Sequence, residues 1–227
     1  MKTSKPLTVL LSLALALVLL TGSIAVPILC RPFYYAHIGP LGLEASTGLT
    51  REEIQTAFDE MLDYCLGGEE FSTGVLKWSQ SGKSHFTDVR ALFTLDLQVL
   101  AFSLGILAAL GLITWRGRQR PALLLGRGAA FWAGAGLGGV FLLVGALAAL
   151  DFDRAFVVFH ALFFPGKDNW LFDPDVDQII NILPQVFFRN CALLILALLI
   201  LGCAALILFD LSQKKHRRKF YSKLQKL

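Results

Sequence analysis

The sequence predicts an all-α integral membrane protein in which four transmembrane helices carry an extracellular cap built from two outer segments. Three observations lead there. Of 227 residues, 55% are hydrophobic and 17% charged, with a mean hydropathy of +0.61, well beyond the balance of a soluble or disordered chain. The apolar residues gather in four long uncharged runs, each near the roughly 20 residues that cross a hydrocarbon core. The basic residues gather on one side of those runs.

In chain order, residues 1–29 hold a cytoplasmic N-terminus and the first span, uncharged from Leu7 to Leu29. Residues 30–93 form the first outer segment and residues 94–115 the second span, uncharged from Leu97 to Trp115. A cytoplasmic loop, 116–127, leads to the third span at 128–150, the second outer segment at 151–189, the fourth span at 190–209 and a basic cytoplasmic tail at 210–227. Ser23 and Ala25 would make a small-residue cleavage site, but the first apolar run is longer than a signal-peptide core.

Orientation follows from charge. The N-terminus, the 116–127 loop and the tail hold 13 of the 21 basic residues and one acid, Asp210. The stretches from Cys30 to Asp96 and from Asp151 to Arg189 hold 8 basic and 16 acidic residues. Lys and Arg are retained inside, so both termini are expected in the cytoplasm and both long segments outside. The tail motif KKHRRK directly follows a span, which marks a topology and anionic-lipid anchor rather than a nucleic-acid patch. Cys30 and Cys65 are both outside and near enough in kind to pair, whereas Cys191 and Cys203 lie in span four as packing residues.

In the first outer segment, Thr50 and Glu53 form a capping box, Gly67 and Gly68 close the helix, and Ile54, Phe58, Met61, Leu62 and Cys65 make one apolar stripe. After a Ser/Gly-rich stretch, Ser79 to Ser84, helical periodicity runs through HFTDVRALF into span two, with His85 and Asp88 on one face. In the second, FHALFFPGKDNWLFDPDVDQIINILPQVFF packs aromatics around His160. Asp173 before Pro174 then reads as a helix start, with Pro184 breaking that helix later.

An interfacial aromatic belt accounts for most of the Phe and Trp, but not for the histidine. His85 precedes span two and His160 follows span three, so both project from outer ends at similar depth. Imidazole near neutral pH takes a proton from an attacking group and returns it to a leaving group, while a carboxylate fixes its tautomer. His and Asp also suit zinc, but no HExxH or paired-Cys spacing is present, so no metal or other cofactor is expected.

HFTDVRALF before span two and FHALFFPGKDNWLFDPDVDQIINILPQVFF before span four, in a four-span chain of this length, resemble the lipoprotein intramolecular transacylase family of Gram-positive bacteria. The resemblance implies transfer of the sn-2 acyl chain of a diacylglyceryl lipoprotein to the α-amino group of its own N-terminal cysteine, giving a lyso-form lipoprotein. It implies a multi-pass bacterial cell-membrane enzyme whose partners are diacylated lipoproteins and membrane lipid, with its site at the outer face. The two catalytic histidines map onto His85 and His160, and not onto His37 or His216. Asp88, with Asp168 or Asp173, is expected to orient them, and Arg90 to steady the oxyanion. Trp170, Phe159 and Phe163 are expected to shape the pocket. The family's Asn-Asp-x-Trp pattern is altered here to Lys167, Asp168, Asn169, Trp170. A non-enzymatic transporter or envelope scaffold is the rival reading, weakened by the lack of mid-span charge. A metal-dependent lipid hydrolase is a third.

Overall fold

A computed structural model describes residues 3–117 and 119–224, with side chains up to 214. Lys2, Arg118 and Lys226, and the side chains of Lys215, Arg217, Arg218, Lys219 and Lys223, all counted in the charge asymmetry, lie outside the described residues.

The elements are β1 (Thr3–Ser4), α1 (Lys5–Leu29), α2 (Arg31–Ile38), α3 (Leu43–Thr47), α4 (Arg51–Cys65), α5 (Gln80–Trp115), β2 (Arg120–Pro121), α6 (Ala129–Leu150), α7 (Phe152–Phe163), a 3-10 turn (Gln178–Asn181) and α8 (Gln185–Leu224). The two short strands pair in parallel. Among the described residues four helices are long and apolar enough to cross a membrane: α1, α5, α6 and α8. The fold is all-α and membrane-integral.

The chain forms two compact units. The first comprises Met1–Ser23, Gln98–Ala146 and Leu196–Leu227. Its helices pack closely because glycine lets them: a Cβ at Gly134 would lie 2.7 Å from the Cys203 carbonyl oxygen, and one at Gly138 would lie 3.3 Å from Cys203 Cβ. Small residues at such crossings are how apolar helices associate in lipid. Thr8 Oγ1 donates to the Ala122 carbonyl at 2.6 Å, and the Gly128 amide donates to the buried Asp210 at 2.8 Å.

The second unit comprises Ile24–Leu97 and Leu147–Ile195 and has its own core. The capping box at Thr50 and Glu53 is formed, and all five stripe residues of α4 are buried. They meet Tyr34 and Ile38 from α2 and Ile179, Ile182, Leu183 and Phe187 from the second polar segment. Tyr34 stacks on Phe58 at 3.8 Å and its hydroxyl donates to the Ile182 carbonyl at 2.8 Å. One core therefore joins the two polar segments, with Tyr34 and Ile182 lying 148 residues apart in sequence.

One sequence expectation is corrected here, the helix start at Asp173, and two open points are resolved. The Ser/Gly-rich stretch is already helical from Gln80, because Ser79 caps α5, its Oγ accepting from the Gly82 amide at 3.0 Å. Asp173–Pro174 opens a single turn and not a helix. Asp173 Oδ1 accepts from the Asp175 amide at 3.0 Å, the Gln178 amide then donates to the Lys77 carbonyl at 3.0 Å, and the Lys77 amide donates to Gln178 Oε1 at 3.0 Å. That cross-segment pairing diverts the chain into the 3-10 turn before Pro184. Cys30 and Cys65 are both free; Cys65 is buried with Sγ 3.8 Å from Met61 Sδ, whereas Cys30 is exposed.

Candidate active site

His85 lies on the second turn of α5, ahead of its uncharged stretch, and that turn is pinned from its start. Asp177 accepts from the Ser79 amide at 2.7 Å and the Ser79 hydroxyl at 2.9 Å. Gly82 allows this approach, since a Cβ there would fall on Asp177 Oδ1 and 2.8 Å from its Cγ. His160 is the one buried residue of α7, whose N-terminus is capped by Asp151 accepting from the Arg154 amide.

The two imidazoles face each other with ring centroids 5.9 Å apart, and each is only 6% exposed. Aromatic rings enclose them. His85 meets Phe164 at 5.0 Å and Phe172 at 5.4 Å, while His160 stacks on Trp170 at 4.2 Å and lies 4.4 Å from Phe156. His160 Nδ1 is 2.8 Å from the Phe156 carbonyl, which can only accept, so this nitrogen carries the proton and Nε2 keeps its lone pair.

Burial is the main reason the His85 pKa is pushed down to about 4, and proximity to His160 adds to it; Asp88 and Asn169 oppose the shift. Burial lowers His160 too, against the pull of the Phe156 carbonyl. Both rings are therefore neutral near pH 7 and able to accept a proton, and either, once protonated, gives it up more readily than a free imidazolium. Among the described residues no group of three or more His, Cys, Asp and Glu is arranged to hold a metal.

Of the carboxylates singled out from sequence, Asp88 is the one whose charge acts on His85, but its oxygens are held by others. Lys167 Nζ lies 2.5 Å from Oδ1 and Asn169 Nδ2 donates to Oδ2 at 3.1 Å. Burial would raise this carboxyl, yet the bonds from Lys167 and Asn169 outweigh it and leave it lowered. Phe159 lies 5.5 Å from His160, and Phe163 meets Phe159 at 4.7 Å.

Three named residues are elsewhere. Arg90 donates to the Gly68 and Gly67 carbonyls at 2.6 and 3.2 Å and stands over Tyr64, closing the end of α4. Asp173 closes its own turn. Asp168 is exposed, its carbonyl accepting from the Leu171 amide. Sequence reasoning missed Lys167 and Asn169 as a pair with Asp88, and Phe164 and Phe172 as walls. The only signal was the departure at Lys167, which marked the position without its partner.

No curated protein matches the chain. Among solved structures, the membrane-integral lipoprotein intramolecular transacylase Lit from Bacillus cereus superposes with a TM-score of 0.79 at 24% identity, over 92% of this chain and 96% of that one. A histidine-to-arginine mutant of the same protein gives a TM-score of 0.74 at 22% identity, over 93% of each chain. At that identity the likeness speaks to the fold. The sequence model described as "Lipoprotein intramolecular transacylase Lit" matches residues 9–188, most of the chain. This four-span chain with its buried histidine pair thus belongs to the lipoprotein intramolecular transacylase family, membrane enzymes that move an acyl group within a lipoprotein.

Proposed function

We propose that the protein moves the sn-2 acyl chain of a diacylglyceryl lipoprotein onto the α-amino group of that lipoprotein's own N-terminal cysteine, at the outer face of a bacterial membrane. The observation that carries this reading is the buried pair His85 and His160, 5.9 Å apart inside an aromatic enclosure. The amine nitrogen attacks the ester carbonyl, an N–C bond forms and the C–O bond to glycerol breaks. One ring takes the amine proton, and a proton reaches the departing sn-2 oxygen through the pair, so nothing outside the substrate is consumed. Bringing two distant parts of one molecule together is the larger task, and a shaped enclosure serves it by orientation. Keeping water from the ester favours aminolysis over hydrolysis.

The exposed Val158 and Leu162 on α7, the helix that carries His160, support approach of the acyl chains along an apolar surface. The charge asymmetry of the loops supports cytoplasmic termini with the site outside. The rival readings, transporter, scaffold and lipid hydrolase, find no support in the family match.

Mass spectrometry of a lipoprotein N-terminal peptide, from cells with and without the protein, tests the reaction. The expected product is an N-acylated, monoacylglyceryl cysteine, present only with the protein and of unchanged total mass. Loss of one acyl mass with release of fatty acid would make the protein a hydrolase instead.

A further inference from the structure

His85 Nδ1 and Asn169 Oδ1 are both buried, and among the described residues neither has a hydrogen-bond partner. They belong to interacting side chains, for the Asn169 amide raises the proton affinity of His85. The orientation of that amide follows from its other neighbour. Asp88, ionised beside Lys167, only accepts, so the edge of Asn169 facing it is the NH2 group. Ser84 Oγ stands 3.5 Å from the same nitrogen. The carbonyl oxygen is therefore the free edge, and it too only accepts. A ring nitrogen that meets it must carry the proton.

We propose that Asn169 is a positioning residue that fixes His85 as its Nδ1–H tautomer, and that the Asp88–Lys167 pair holds Asn169 in the orientation this requires. The inference rests on the two-histidine chemistry above. His160 is set the same way by the Phe156 carbonyl, so both rings start the reaction with bare Nε2 atoms. Neither stores a proton for the leaving group. The proton that reaches the departing oxygen is then the one the amine gave up: N–H breaks as N–C forms, Nε2 of one ring holds the proton, and O–H forms as the ester C–O breaks. Both rings finish neutral. Catalytic hydrogen bonds are often loose in the free enzyme and tighten with substrate, which fits two unpaired atoms on neighbouring side chains. Fixing a tautomer through the other ring nitrogen is a general way to prepare a histidine.

The test reads the tautomer directly, using 15N-histidine-labelled full-length protein in detergent micelles without substrate. The His85 signals are identified by their loss in His85→Gln. Wild type should show a protonated Nδ1 and a bare Nε2. Asn169→Leu should mix the tautomers and lower kcat by about 10- to 100-fold, the range seen when a hydrogen-bond partner that fixes a metal-bound histidine is removed, with KM little changed. The exchange Asp88→Asn with Asn169→Asp keeps an acceptor toward His85 and should restore the wild-type tautomer. A wild-type spectrum with the proton on Nε2, or an unchanged Nδ1–H fraction in a folded Asn169→Leu, overturns the proposal. The measurement involves no turnover, so it fails separately from the two-histidine reading, which fails if His85→Ala stays active.

Discussion

The His160 ring lies flat on the Trp170 indole, 4.2 Å between centroids and 24° between planes. Trp170 is itself fixed by its Nε1 donating to the Lys167 carbonyl at 3.2 Å, so the loop that supplies Lys167 to Asp88 also supplies the wall behind His160. Aromatic pairs of this kind contribute about 0.5–1.5 kcal/mol beyond area burial. Trp170→Phe, which keeps a stacking face, should lose less than about tenfold in rate by that measure. Trp170→Ala removes the face and opens the site, and free fatty acid should appear among the products as water competes with the amine. A Trp170→Ala enzyme with unchanged rate and no hydrolysis would show that the indole neither holds His160 nor excludes water.

If both histidines move protons, His85→Ala and His160→Ala should each lose about 10² to 10⁴ in rate. The double variant should be little worse than either, since groups acting as a unit are far from additive. His37, packed between Phe33 and Phe187 with Nδ1 on the Phe33 carbonyl, is a control that keeps near-normal activity in His37→Ala. Conversion of a diacylglyceryl lipopeptide by purified, membrane-accumulated variants is the assay. Full activity in folded His160→Ala would remove the pair mechanism.

The pH profile should be set by the substrate. Burial holds His85 near 4 and lowers His160 as well, so as pH falls from 7 toward 5 His85 stays largely neutral and His160 resists protonation more than a free imidazole does. An α-amino group titrates near about 7.7–8.0 and loses its nucleophilic lone pair below that. The rate should therefore rise with pH through roughly that range, and a lipopeptide with a less basic amine should move the limb downward. A limb fixed near the ordinary imidazole value, indifferent to the amine, would mean that a histidine titrates instead.

Much of this was legible in the chain. The four spans are long uncharged runs, the α4 helix announces itself through its capping box and stripe, and the histidine pair stands out because an aromatic belt has no use for it. What was illegible depends on which segments meet. Asp173–Pro174 has every local mark of a helix start, yet the backbone and side-chain bonds of Gln178 to Lys77 override it. Arg90 shares the stretch with His85 and Asp88, but the carbonyls at the end of α4 take its guanidinium. The partners of Asp88 come from about 80 residues away, and no periodicity encodes that.

Gly82 tests how far the anchor of α5 matters. Its missing Cβ is the space that Asp177 occupies to reach Ser79, so Gly82→Ala must push a buried carboxylate off its two donors. Overpacking of this kind costs typically 1–3 kcal/mol. The thermal midpoint in detergent should fall, and activity with it, because His85 sits three residues further along the same helix. Gly105→Ala, where a Cβ meets nothing within 4 Å, is the matched control. Equal midpoints for the two would mean that α5 does not depend on Asp177.

Orientation is open to direct labelling, and the structure guides where the probes go. Gly74 takes φ +59° with the Ala57 backbone 3.4 Å from an added Cβ, so a cysteine there would strain the turn. Val75, 65% exposed, is the better outer probe, and the exposed Gln119 the inner one. Exposed Cys30 must first be replaced by Ser; Cys65 and Cys203 are buried and Cys191 is half-buried. In that background Val75→Cys should react with an impermeant maleimide on intact cells, and Gln119→Cys only after the membrane is opened. Asymmetric Lys and Arg retention is the physical basis for this expectation. The reverse pattern would place both histidines on the cytoplasmic side and overturn the outer site proposed above.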